Sequence, residues 1–499
     1  MLRMHVVPDR EDFLSLSRRG NLIPVYAELL ADTLSPVEAY LRLQGQASFL
    51  LESVEGGEKW GRYSFLGLAP SFSISIRAQE VELRGPGGTE HHRVENPLEF
   101  LRQFMAQFRP VEVEGLERFW GGLVGYLGYD MVRFMEDLGP LREKPSLGMP
   151  DAYLMLTDTM VVFDALKQKA RVLANIHLQE AQEPLQAYER AVQKLRAVIQ
   201  ALQAPRESLP LPVLQPLGKP REDFSSSFGP PEAFMQAVER AKAYVHSGDV
   251  VQVVLSQRFE RPSSARPLDI YRALRLVNPS PYMFYLDTPA GQLIGSSPEI
   301  LVRLEGRHIT LRPIAGTRRR GRTEEEDQAL EAELRADPKE QAEHIMLVDL
   351  GRNDVGRVAQ VGSVRVQELM SLERYSHVMH LVSSVVGTLR QGLGAFDVLK
   401  ACFPAGTVTG APKVRAMQII DELEPLKRGP YAGAVGYISY SGNMDTCITI
   451  RTLIIRDGRV YVQAGAGVVA DSVPAMEHKE TLNKAMAMMK AVQMAEALF

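Results

Sequence analysis

Apolar residues recur every three or four positions from 182 to 203, where Leu185, Tyr188, Val192, Leu195 and Ile199 mark one face of an amphipathic helix. The period changes to two between 72 and 77, where Phe72, Ile74 and Ile76 alternate with serines as in a strand with one buried face. A second strand is predicted over 160–164, and Gly-Pro-Gly-Gly at 85–88 reads as a turn. Prolines at 205, 210, 212, 216, 220, 230 and 231 remove backbone donors and fix φ, so a linker is predicted there. Beyond it, strands over 250–259, 282–287, 309–312, 434–439 and 446–455 alternate with helices over 232–246, 324–347 and 474–498. Hairpin-length turns outnumber regular crossover helices. The expected class is therefore α+β, with large antiparallel sheets forming a sandwich-like core, helices packed outside and two interlocking subdomains. The expected division is an N-terminal domain at 1–205, a Pro-rich linker at 206–231 and a C-terminal domain at 232–499.

A chain of 499 residues is too long for one ordinary core, which agrees with that division. Its 45% hydrophobic and 24% charged residues are the composition of a soluble globular protein. The net charge of -4, with both signs interspersed, gives no electrostatic reason to expect nucleic acid or a membrane surface as partner. Only Cys402 and Cys447 are present, without metal spacing, and the first ten residues lack an apolar core, so the cytoplasm is expected.

Candidate chemistry concentrates in the C-terminal half. At helical spacing, Glu477, Glu480 and Lys484 share one face, beside a predicted glycine-rich turn at 463–467 whose N–H groups can approach a ligand closely. With Glu343 on another predicted helix, these carboxylates suit Mg²⁺, which takes hard oxygen ligands and keeps several waters. Glu343 and Glu480 are the candidate direct ligands and Glu477 stands behind them; a solvated surface charge pattern is the alternative. Asp349, Arg352, Asn353, Asp354 and Arg357 read as a salt-bridged helix end. Leu-Arg-Pro-Ile-Ala-Gly-Thr-Arg-Arg-Arg-Gly at 311–321 ends a predicted strand in a Gly-Thr turn, and 403–413 forms a second small-residue turn presenting Thr407. Arg451, in an apolar predicted strand, needs a carboxylate if buried, either a structural partner or a ligand. His380 among apolar residues is a core histidine or a catalytic one.

These strings, with Leu-Leu-Glu-Ser at 50–53, Gly-Arg-Tyr-Ser-Phe at 61–65, Gln-Val-Val-Leu-Ser-Gln-Arg-Phe at 252–259 and Asn-Pro-Ser-Pro-Tyr-Met at 278–283, resemble the chorismate-utilising enzymes, and among them the anthranilate synthase component I group. The resemblance spans nearly the whole chain. It implies Mg²⁺ and a chorismate site in which Glu299 is the acid that expels the C4 hydroxyl and His380 and Thr407 are catalytic. Gly316, Thr317, Tyr431, Arg451, Gly465, Ala466, Gly467 and Lys484 would bind the substrate. It also implies an L-tryptophan feedback site at Glu52, Ser53, Pro281, Tyr282, Met283, Val435 and Tyr437, for which an ordinary interdomain contact is the alternative.

Two positions narrow the chemistry. Related isochorismate and salicylate synthases carry a water-activating lysine where Gln252 stands, and aminodeoxychorismate synthases often have a nucleophilic lysine where Ala315 stands. Ammonia then remains as the nucleophile, giving anthranilate and pyruvate, the first step of tryptophan biosynthesis. Neither cysteine lies in a glutaminase-like context, so a separate glutamine amidotransferase subunit is implied, in a heterotetramer of two large and two small subunits. The competing readings are an aminodeoxychorismate synthase component I and a non-catalytic tryptophan-binding regulatory subunit.

Overall fold

The computed structural model describes residues 4–53, 62–140, 142–179, 183–205, 213, 223–374 and 378–498. Most of the predicted linker and Gly61 lie outside them. Among the described residues, two antiparallel twelve-stranded sheets form the centre, and each is assembled from both halves of the chain. In the first sheet the halves meet where Ala47–Glu52 pairs with Tyr282–Thr288, in the register Glu52 with Met283 and Leu51 with Phe284. The second sheet joins where Gly122–Leu127 pairs with Ala434–Ser439, Tyr126 opposite Val435.

Period-two alternation decides which core each side chain enters. Phe49, Phe65 and Phe284 point between the sheets, where they pack with Val124, Tyr126 and Tyr437 of the second sheet. Their neighbours Leu50, Leu66, Met283 and Tyr285 point outward under helices Pro184–Gln203, Pro267–Val277 and Pro474–Leu498. The first sheet is thus buried on both faces, which explains why its strands read as nearly continuous apolar runs. The expected sandwich-like core with external helices is present, and the two halves interlock through shared sheets.

Four predicted elements differ from the structure. The helix expected over 324–347 is two helices, Glu324–Ala336 and Pro338–Gly356. Pro338 cannot donate its backbone nitrogen to the first helix, whereas at N1 it suits the second, and the Asp337 carboxylate caps that helix by accepting from the N–H groups of Lys339 and Glu340. Such a cap contributes about 1 kcal/mol. The strand expected over 446–455 is also two, Met444–Ile448 in the second sheet and Thr452–Arg456 in the first. The chain crosses between sheets at 449–451, and Arg451 takes φ +51°, so it stands at a crossing rather than in a strand. Gln-Ala-Gly-Ala-Gly at 463–467 is no turn but the interior of strand Arg459–Val468. Gly316 likewise lies inside strand Ile314–Arg319, at a bulge with φ +68° between Ala315 and Thr317.

Candidate functional site

Helices Pro338–Gly356 and Pro474–Leu498 bring their carboxylates to the free side of strand Arg459–Val468. Among the described residues, Thr452–Arg456 pairs with that strand only over 453–456, opposite 459–462, leaving 463–467 paired on one side by Gln252–Pro262. Lys484 donates to the Gly465 carbonyl at 3.1 Å and pairs with Glu480 at 2.5 Å. The Gln252 amide donates to Glu343 Oε1 at 3.1 Å. The Arg451 guanidinium donates to the Lys484 carbonyl at 2.6 Å, tying the crossing segment to the helix. Two glycines allow this crowding. A Cβ on Gly467 would stand 2.5 Å from the Gln252 amide nitrogen, and one on Gly465 would stand 2.8 Å from the Tyr431 hydroxyl.

Glu343 and Glu477 hold their protons more tightly than usual. Burial raises the pKa of Glu343, and the charges of Glu340 and Glu480 add to the effect against Gln252 and Lys484. Burial also raises Glu477, again with Glu480 adding. A dication would relieve both causes, so this oxygen-only donor set fits Mg²⁺. Among the described residues no three His, Cys, Asp or Glu side chains form a complete metal cage.

Glu299 sits between strands Gly291–Ser297 and Ile300–Glu305. Its backbone is fixed by the Ile448 N–H donating to the Glu299 carbonyl at 3.0 Å and by Ser297 Oγ donating to the Ile448 carbonyl at 2.7 Å. Burial pushes its carboxyl up to about 8, against the nearby Thr407 hydroxyl and the charge of Lys484. The Thr407 oxygen is itself buried and makes no hydrogen bond of ordinary geometry among the described residues. The two groups line a pocket of about 400 Å³ with Arg312, Leu350 and Gly351. A carboxyl protonated at neutral pH can donate a proton there.

His380, on strand Val378–Thr388, places Nδ1 3.1 Å from the Gly316 carbonyl and 3.1 Å from Thr317 Oγ1. A carbonyl only accepts, so Nδ1 carries the hydrogen and the basic lone pair of the neutral ring is on Nε2. Burial lowers its pKa, which keeps the ring neutral at pH 7. Tyr431 is buried beneath Gly465, and the charge of Arg451 reaches it. The predicted salt-bridged helix end is present as Asp349–Arg352 at 2.8 Å, Arg357–Glu136 at 2.7 Å and Asp354–Lys413 at 2.8 Å.

The residues expected for an inhibitor converge elsewhere, on a pocket of about 650 Å³ at the seam between the halves. Glu52, Ser53, Pro281, Tyr282, Met283, Val435 and Tyr437 all line it. Asp445 accepts from the Tyr282 hydroxyl at 2.8 Å and pairs with Arg303 at 2.7 Å. The Glu52 carboxylate accepts from Tyr271 at 2.5 Å and from Arg275 at 3.2 Å while lining the pocket. Ser53 Oγ is buried with no hydrogen-bond partner among the described residues. Sequence reasoning missed Asp445, Arg303, Tyr271 and Arg275. For Asp445, Arg303 and Arg275 the only signal is a charged residue in an otherwise apolar strand or helix face, and Tyr271 reads as core.

Among the described residues, no helix is long and apolar enough to cross a membrane. The model of a family described as chorismate binding enzyme matches residues 17–490. An anthranilate synthase component 1 from Aquifex aeolicus (strain VF5) is 53% identical over 490 residues, 97% of this chain and 98% of that protein. One from Pseudomonas putida is 50% identical over 495 residues, 98% and 99% of the two chains. The crystal structure of anthranilate synthase component I from Streptococcus pneumoniae TIGR4 superposes with a TM-score of 0.76 at 40% identity, covering 92% of this chain and 98% of that one.

Proposed function

The chain belongs to the chorismate-binding enzymes, and on that premise we propose that it converts chorismate and ammonia to anthranilate, pyruvate and water. The observation that carries this choice is Gln252. Its amide is held on Glu343 and has no basic lone pair with which to activate water, while Ala315 offers no amine for attack on the substrate. The nucleophile therefore comes from outside the chain.

Glu299 gives its proton to the C4 hydroxyl, which leaves as water as ammonia bonds to C2, and the surplus proton of the new C2 ammonium restores the Glu299 acid. The neutral Nε2 of His380 then takes the C2 proton, the bond between ring C3 and the ether oxygen breaks as the ring becomes aromatic, and the enolpyruvyl group leaves with that oxygen, a proton returned to its methylene carbon giving pyruvate. Arg451 and Tyr431 hold the pyruvyl carboxylate, the Gly465–Ala466–Gly467 edge offers backbone donors, and Gly316, Thr317 and Lys484 complete the substrate contacts. Glu343 and Glu480, with Glu477 behind them, would hold Mg²⁺, which when bound supplies positive charge for the ring carboxylate.

Both cysteines are buried and their thiols pushed up in pKa, a poor context for a glutaminase nucleophile and compatible with the cytosol. The component 1 naming of the relatives supports a second component, which we assign as a glutamine amidotransferase subunit in a heterotetramer. The seam pocket is assigned to L-tryptophan as feedback inhibitor, with the unsatisfied Ser53 hydroxyl as its support. Purified chain with chorismate, Mg²⁺ and ammonium should yield a product with the fluorescence and mass of anthranilate, and glutamine should replace ammonium only once the amidotransferase is added. Aminodeoxychorismate as product, or glutamine use by the pure chain, would overturn the reading.

A further inference from the structure

Arg318 is the most heavily engaged side chain in the basic run at 318–322. Its Nε donates to Glu333 at 2.8 Å, Nη2 to Asp337 at 2.9 Å and Nη1 to Glu340 at 3.0 Å, and its side chain is 20% exposed. The three acceptors have distinct places. Glu333 lies in the last turn of helix Glu324–Ala336, Asp337 is the N-cap of helix Pro338–Gly356, and Glu340 is in that helix's first turn. Glu343 follows Glu340 by three residues on the same face and feels its charge. Arg318 itself directly follows Gly316 and Thr317 on the bulged strand, and a Cβ on Gly316 would stand 3.3 Å from Glu340 Oε2.

We propose that Arg318 is a positioning residue: its fork ties the strand carrying Gly316 and Thr317 to the start of the helix carrying Glu343, so that substrate donors and metal carboxylate keep one spacing. This rests on the chorismate and Mg²⁺ reading above. A guanidinium suits the task because its planar set of donors reaches three carboxylates at once, whereas a lysine ammonium is a point charge on a flexible stem. Residues that orient metal ligands without touching the metal are typically worth about tenfold to a hundredfold in affinity.

The discriminating quantity is the factor by which Mg²⁺ tightens chorismate binding, which by linkage equals the factor by which chorismate tightens Mg²⁺. Calorimetric titration of chorismate into the whole chain, with and without Mg²⁺ and with ammonium omitted, measures it for wild type, Arg318→Lys, Arg318→Ala and Glu333→Gln. The expected result is a factor about tenfold smaller in Arg318→Ala, only partly recovered by Arg318→Lys, and near the wild-type value in Glu333→Gln, which keeps both bonds to the metal-bearing helix. A variant that is merely less stable melts earlier but keeps the factor once folded. An unchanged factor in both Arg318 variants, or full recovery by lysine, overturns the inference while leaving the proposed reaction standing. A wild type whose chorismate affinity ignores Mg²⁺ overturns the metal reading and this inference with it.

Discussion

The seam pocket and the carboxylate site are built on opposite terms. At the seam, nearly every charge is already answered: Asp445 by Arg303 and Tyr282, Glu52 by Tyr271 and Arg275. In the carboxylate site, Glu343 and Glu477 are crowded together with Glu480, and Glu299 is buried with a lone hydroxyl and a more distant lysine to oppose protonation. Charges satisfied in advance make a rigid mould whose occupancy is read by shape and a few hydrogen bonds. Carboxyls that burial and neighbouring like charge hold toward the protonated form can give up a proton or take a cation, which is the condition for chemistry. The two pockets therefore answer mutation differently.

The sharpest break is expected at the metal carboxylates. Glu343→Ala or Glu480→Ala removes one of the two proposed direct ligands and should cost several kcal/mol of transition-state stabilisation, about a thousandfold or more in turnover. Tryptophan affinity at the seam, measured by calorimetry, should stay at the wild-type value. Mg²⁺-dependent turnover at normal rates in either variant would remove the metal assignment.

Glu299→Gln comes next, with an expected loss of about a hundredfold to ten-thousandfold. In the wild type the acid form is needed, so on the alkaline side kcat should fall as pH rises through about 8, where burial has placed the carboxyl, while an acid limb belongs to protonation of His380, below the ordinary histidine range. The glutamine variant should lack that alkaline limb. If the limb persists in its residual rate, the proton donor lies elsewhere.

The smallest effects belong to the seam. Ser53→Ala or Tyr282→Ala should weaken tryptophan binding by roughly 1–3 kcal/mol, about tenfold to a hundredfold, while turnover without tryptophan changes little. Wild-type tryptophan affinity in both variants would return this pocket to an ordinary contact between the halves.

Legibility followed the range of the forces involved. Phe72–Arg77, Ala434–Ser439 and helix Pro474–Leu498 match their predicted ends, because alternation and helical period are local properties. The division at 337 was also local, since Pro338 announces it. The crossing at 449–451 had no such signal: Thr449, Ile450 and Arg451 include neither glycine nor proline, and strands buried on both faces look alike in either sheet. Gly465 and Gly467 were read as a turn because glycine usually marks one, whereas here they clear space for Tyr431 and Gln252 from neighbouring elements. The candidate site residues were visible as strings resembling a family. Their partners were not, because the ties of Glu343 to Gln252, of Arg318 to Glu340 and of Tyr282 to Asp445 are long-range and exist only after the sheets pair.

Shared sheets also impose a timetable on synthesis. Strand Gly122–Leu127 leaves the ribosome about three hundred residues before its neighbour Ala434–Ser439, which at roughly 5–20 residues per second is a wait of about 15–60 s. Strand Ala47–Glu52 waits similarly for Tyr282–Thr288. During that interval each nascent half-sheet presents an unpaired apolar edge, a template for pairing with a second chain. The same seam that encloses a pocket in the finished protein is thus the point at which the unfinished one most needs shielding, and neither half can complete its sheets without the other.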